Sequence, residues 1–307
     1  MIQIIFYIVF VMLLYMMIGF LLGKTHKITV SHGKSMSALL LYVLGPAMII
    51  NSFLNLEYTR DNLIRISTYF LVTLLAQILF FCVLYLVFHK KYRDSKYRIM
   101  CIGGVLGNVG FVGMPIIAAV FPEEPIVLCY SSINVMAMNL IVFTIGTYMI
   151  TNDRKYISVK SAIWNPTTLS ILAAIPIFIF GIHFPDEIEN AIGVMAKMVT
   201  PMCMFVLGMR LSECDLRKIF TRKFVYMSCL LKLIVFPVFA WGLLKIFPVG
   251  DDVFRKTAII LAMAPSGALI ESLAELYECE QEFTANVVLI TTVLCVVTIP
   301  FMTFVLV

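Results

Sequence analysis

The sequence predicts an all-α integral membrane protein: ten transmembrane helices in two inverted five-helix repeats, with helices 4 and 9 broken. Three observations carry that expectation. The composition is unfit for water, the chain holds ten long apolar runs, and Pro/Gly interruptions recur at equivalent places in its two halves. Of 307 residues, 61% are hydrophobic and 13% charged, with a mean hydropathy of +0.99. A soluble chain carries about 45–50% apolar and about 25% charged residues. Too few charges remain to cover a water-facing surface, which excludes a soluble enzyme, a secreted disulfide scaffold and a disordered chain. The expected partner of most of the surface is the lipid bilayer. A net charge of +5 is too modest to read as a nucleic-acid footprint. The eight cysteines form no CxxC pair and mostly lie in apolar runs; they read as small core residues, so no metal or cofactor is expected.

At about 20 residues per span, the runs fall at 2–23, 36–54, 63–88, 99–121, 126–150, 166–181, 188–211, 224–247, 254–277 and 283–307. The first has no basic residue ahead of it and no small-residue cleavage site behind it, so it reads as a retained helix. Continuous apolar runs exclude alternating strands, and helices satisfy their own backbone groups in lipid. The loops orient the bundle. Sixteen of the twenty-three cations fall in the odd-numbered loops, among them Lys90, Lys91, Arg93, Arg210, Arg217, Lys218 and Arg222. Only Arg60, Arg65, Arg255 and Lys256 fall in the even loops. The positive-inside rule places the odd loops in the cytoplasm of a cell (inner) membrane protein, with both termini outside.

Five spans on each side of loop five suggest a duplication, and an odd number inverts one half relative to the other. Pro46 is matched by Pro201, Arg98 by Arg255 and Glu124 by Gln281, at offsets of 155, 157 and 157 residues. The expected organisation is a first repeat over 1–151, a short cytoplasmic linker over 152–165 and a second repeat over 166–307.

Span four carries Gly107-Asn108-Val109-Gly110-Phe111-Val112-Gly113-Met114-Pro115, and span nine carries Ala264-Pro265-Ser266-Gly267 at the equivalent place. Proline removes a backbone donor and glycine releases helical geometry. Paired interruptions of this kind point to a midplane binding site in a transporter, where half-helix N-termini suit an anion. The alternative is close helix packing, since Gly103 and Gly107 form a GxxxG.

These stretches resemble the auxin efflux carriers, whose bacterial members and plant PIN-formed relatives share a GN-x-GF-x-G-x-P segment in span four. The resemblance continues through Leu41–Pro46 as LYVLGP, Asn165-Pro166, Ala262-Met263, Ala274-Glu275-Leu276-Tyr277 and Thr291-Thr292 to Pro300. It implies a fold related to the bile-acid symporters: a scaffold from helices 1, 2, 6 and 7, and a transport domain from helices 3–5 and 8–10 whose broken helices 4 and 9 cross at the substrate site. It also implies export of a small organic anion, auxin-like or a mono- or dicarboxylate, driven by a coupling proton or sodium, and a homodimer through the scaffold as one arrangement. By resemblance, Asn108, Val109, Gly110, Pro115, Pro265 and Ser266 surround the substrate, with Asn51 and Asn134 on the same cavity.

The chain departs from the family pattern at Leu269, where bacterial relatives often carry Asn, and at Glu271, where an apolar residue is usual. A charge at the bilayer centre costs about 2.5–3.5 kcal/mol on insertion scales. Glu271 therefore either carries a proton, binds a cation or repels dicarboxylates, or it is structural, paired with Lys232 of span eight or kept protonated. Gln77 and Asn139 read as interhelical hydrogen-bond partners, and Lys197 and Lys245 as side chains reaching an interface.

Secondary transport by elevator-type alternating access is the leading expectation, and a membrane ligand sensor without transport is the alternative. An enzyme is not expected: the sequence has no HExxH, GxSxG or Walker motif, and no close membrane-embedded aspartate pair.

Overall fold

The computed structural model describes residues 2–213 and 223–307. Arg217, Lys218, Arg222 and Cys214 lie outside the described residues. Among the described residues, eight helical stretches are long and apolar enough to cross a membrane. We number them with the shorter helices in chain order: α1 (Ile2–Lys24), α2 (His32–Leu54), α3 (Arg60–Lys91), α4 (Ser95–Val105), α5 (Val109–Val120) and α6 (Ile126–Thr151). The second half holds α7 (Arg154–Phe180, regular over Pro166–Phe180), α8 (Asp186–Ser212), α9 (Lys223–Ile246), α10 (Asp252–Ala262), α11 (Ala268–Leu276) and α12 (Gln281–Leu306). The fourth and ninth apolar runs are thus not continuous helices. Each is a pair of half-helices, α4/α5 and α10/α11.

Local chemistry sets the ends. Asn165 caps α7 by accepting from the Thr168 N–H at 2.9 Å, with Pro166 in the first turn. Gly181 ends the same helix in the left-handed region at φ +57°. Asp251 caps α10 by accepting from the Phe254 N–H at 2.8 Å. Large apolar side chains such as Phe6, Phe10, Leu86 and Phe304 face outward, where lipid rather than water solvates them at no hydrophobic cost.

Packing falls into two sets. α1 lies along α8, and α2 packs on α7 and α8. Backbone meets backbone in the first pair: a Cβ on Gly208 would lie 2.0 Å from Met16 O, and one on Gly19 would lie 2.2 Å from Phe205 O. Small residues permit this close approach, the usual source of contact energy between helices in lipid. In the other set, α3 packs on α6, α4 and α12 on α9, and α11 on α12. The sets meet where α1 touches α5 and α12, and where α2 and α7 touch α6.

Candidate functional site

The two helix breaks meet. Gly107 and Ser266 form an isolated antiparallel bridge. The Asn108 N–H donates to Pro265 O at 2.6 Å, and the Gly267 N–H donates to Leu106 O at 3.1 Å. An unsatisfied backbone group costs several kcal/mol in lipid, and here each break supplies the missing partner of the other. Neither helix can be opened alone at the same cost. The Ser266 hydroxyl adds a bond to Gly103 O at 2.7 Å, and its N–H donates to Thr291 Oγ1 at 3.1 Å.

The break in the first half lies at Leu106–Asn108, upstream of Pro115. Pro115 instead lies within α5, directly after the π-turn over Val109–Gly113, and the helix runs through it to Val120. Asn108 O accepts from the N–H groups of Val112 (3.1 Å) and Gly113 (3.2 Å), and the first turn of α5 is a π-turn. In the second half, Ala264 precedes proline and disfavours helix, and Pro265 has no N–H to continue the ladder. The glycines are needed for space rather than for dihedral angle. A Cβ on Gly107 would lie 2.9 Å from Lys232 Nζ, and one on Gly267 would lie 3.2 Å from Gly107 O.

The crossover separates two cavities. The larger, about 190 Å³, is lined by Asn108, Val109 and Gly110 from one break and by Gly267, Ala268 and Leu269 from the other. Its far walls come from α2, α6 and α7, through residues such as Met48, Phe143 and Thr167. Both second half-helices, α5 and α11, open onto it with N-termini that no side chain caps. The Asn108 side-chain nitrogen is buried with no hydrogen-bond partner. No charged side chain is among the residues lining this cavity. Polarity there comes from helix ends and amides.

The smaller cavity, about 40 Å³, lies against the other face of Gly107 and Val109 and is lined by Gln77, Asn134 and Lys232. Lys232 is 1% exposed. Its Nζ donates to Val105 O at 3.3 Å and Ala262 O at 3.1 Å, the last residues of α4 and α10, and lies 4.5 Å from the Phe236 ring centre.

The sequence-derived site residues therefore divide. Asn108, Val109 and Gly110 come together on the larger cavity. Ser266 and Pro265 form the clasp beneath it, Ser266 being fully buried by its own bonds. Asn134 faces the smaller cavity, its Oδ1 accepting from Gln77 Nε2 at 3.1 Å. Asn51 lies beside Gly193 of α8, away from both cavities. Asn139 bridges α6 to α7 by donating to Asn165 Oδ1 and Thr168 Oγ1, both at 3.2 Å.

Glu271 does not pair with Lys232. Its Oε1 lies 2.6 Å from Arg210 of α8, and its Oε2 is buried with no hydrogen-bond partner. The α10/α11 break turns Lys232 toward helix C-termini and leaves Glu271 facing α8. In the sequence Arg210 reads only as a loop cation. The signal for it was its position within the apolar end of span seven, Met209-Arg210-Leu211.

A bundle of apolar helices built around one reciprocal pair of helix breaks defines a polytopic membrane protein of the transport class. The chain belongs to the membrane transport protein family, whose model matches residues 4–303. The resemblance to auxin efflux carriers thus extends across the chain. It is 24% identical over 298 residues to an uncharacterized transporter of Methanocaldococcus jannaschii, covering 93% of each chain. It is 22% identical over 225 residues to a protein of Rhizobium meliloti named "Putative malonate transporter", covering 69% of this chain and 68% of that one.

Proposed function

We propose that the protein is a secondary active transporter, an efflux carrier or permease that moves a small organic carboxylate across the cell membrane by elevator-type alternating access. The observation that carries this reading is the larger cavity: two uncapped half-helix N-termini open onto it, and Asn108, whose side-chain nitrogen has no hydrogen-bond partner, is among its lining residues. Each helix N-terminus is equivalent to roughly half a positive charge, and an anion placed between two of them needs no cationic side chain. The apolar far wall suits the carbon body of an organic acid. The name of the Rhizobium relative supports a carboxylate, and malonate is the first candidate to assay.

In this reading the chain forms ten spans, with α4/α5 and α10/α11 each crossing as a broken pair. α1–α6 and α7–α12 are the inverted repeats. The set α1, α2, α7 and α8 is the scaffold, and the remaining helices carry the crossover as a moving domain. The packing into two sets supports that division, because the larger cavity lies on their boundary. The odd loops face the cytoplasm and both termini the outside.

The test is a melting screen of purified protein against organic acids, followed by flux in proteoliposomes under imposed gradients. Saturable flux of an acid that also stabilises the protein is expected. Stabilisation without flux under any gradient would overturn transport in favour of a ligand sensor.

A further inference from the structure

Among the described residues, Lys232 is the one fully buried lysine, and the anion site leaves its surroundings unexplained. Among the described residues no carboxylate lies within ion-pair distance of it. Its partners are instead the terminal carbonyls of α4 and α10. Those two helices end at the crossover, so their negative dipole ends converge from opposite sides on one point. Two such ends facing each other in a medium without water repel unless a positive charge lies between them. Half-helix C-termini and unwound carbonyls are what broken-helix transporters use to hold a coupling cation.

The neighbouring space fits the same purpose. The cavity of about 40 Å³ beside the ammonium exceeds the roughly 10–15 Å³ that one water-sized probe needs. Gln77 on its wall is 4% exposed, and its Oε1 has no hydrogen-bond partner. Gln77 lies 155 residues before Lys232, the same offset that relates Pro46 to Pro201. The two halves therefore bring a neutral amide and a cation to equivalent places behind the crossover.

We propose that the Lys232 ammonium is a tethered cation that fills the seat a dissociable monovalent cation would otherwise occupy between the two half-helix C-termini. The crossover then carries its own counter-charge, and carboxylate movement requires no sodium. Removing the side chain leaves Val105 O, Ala262 O and the Gln77 amide around an open, electronegative pocket. That pocket would take Na+ or a small alkylammonium ion. The assignment deepens the transport reading by naming how its site is neutralised.

The experiment measures melting of the full chain in detergent, without substrate, in sodium, methylammonium or choline chloride at matched ionic strength. Wild type is expected to melt at the same temperature in all three. Lys232→Ala is expected to melt lower in choline and to regain about 2–4 °C in sodium or methylammonium, the shift that specific ligation of the folded state gives a chain of this size. Lys232→Met fills the pocket with an uncharged chain of similar length and is expected to gain nothing from either ion.

A wild type stabilised by sodium over choline would overturn the proposal, as would a Lys232→Met response. So would a Lys232→Ala variant that responds to neither small cation, or that is not recovered folded in any of the three salts. Failure here leaves the anion cavity untouched, and failure of the flux assay leaves the cation seat untouched.

Discussion

Arg210 and Glu271 form an ion pair of 2.6 Å that joins α8 to α11, tying a helix of one packed set to a half-helix of the other. The Glu271 side chain is 5% exposed and that of Arg210 is 27% exposed. A buried carboxylate without its partner is costly, whereas removing both partners together costs much less. Glu271→Ala and Arg210→Ala are each expected to lower stability, and the double variant is expected to lose less than their sum. The coupling should fall at about 0.5–3 kcal/mol. A double-mutant cycle on thermal or denaturant unfolding reads it, and strict additivity would show that the pair contributes nothing.

Asn108 lines the larger cavity, and its buried side-chain nitrogen, near the Cys203 thiol, has no hydrogen-bond partner among the described residues. A hydrogen bond to a charged group is worth about 1.5–3 kcal/mol, or about 10- to 100-fold in affinity. Asn108→Ala is expected to weaken half-saturation of flux by that factor while melting near wild type. Asn108→Asp places a negative charge between the two helix N-termini and should abolish carboxylate binding at neutral pH. Normal flux from a folded Asn108→Ala protein would remove the amide from the site.

Gly107 has Lys232 Nζ within 2.9 Å of where a Cβ would be, and Ala264 O at 3.4 Å. Gly107→Ala must displace the ammonium from at least one of its two carbonyls. Leaving buried polar groups unsatisfied costs about 1–3 kcal/mol, and a fall in melting temperature should report it. The same substitution is expected to cost less in a Lys232→Ala background, where the obstruction is gone. An equal cost in both backgrounds would place the strain elsewhere.

Gly208 offers a purely structural check on the α1–α8 contact. A Cβ there would lie 2.0 Å from Met16 O, so Gly208→Ala must force the two helices apart. Overpacking of this kind costs about 1–3 kcal/mol. Gly242 of α9 has nothing within 4 Å of its Cβ position, and Gly242→Ala should melt within about 1 °C of wild type, since surface changes stay within about ±0.5 kcal/mol. Equal effects at the two glycines would contradict the close approach.

The apolar runs were legible in the sequence because lipid imposes one length on every span, and the breaks were legible because Gly and Pro mark them. The division of labour at the breaks was not. Asn108 and Ser266 have the same local signature, a small polar residue beside glycine. Only the fold shows that Ser266 spends its hydroxyl on Gly103 O while the Asn108 amide nitrogen finds no partner. Pro115 reads as a breaker, yet the helix runs through it after the π-turn at Val109–Gly113, which no letter of the sequence announces. Side-chain charges are visible in a sequence, which makes Glu271 one candidate partner for Lys232. Its actual partners, the Val105 and Ala262 carbonyls, belong to the main chain and leave no letter to read. Arg210 and Glu271 are 61 residues apart, and no local pattern relates them.

The bridge between Gly107 and Ser266 has a consequence for substrate choice. In the proposed reading the charged end of the ligand meets the two half-helix N-termini beside that bridge and the Asn108 amide, and those groups treat every carboxylate alike. Discrimination must then be made at the opposite wall, where Met48, Val135, Phe143 and Thr167 meet the rest of the molecule. Relatives that keep the same main-chain seat can change diet by altering a few side chains on that wall. The head group would be recognised by architecture and the tail by composition, so retargeting this protein to another acid is a problem of resurfacing, not of rebuilding.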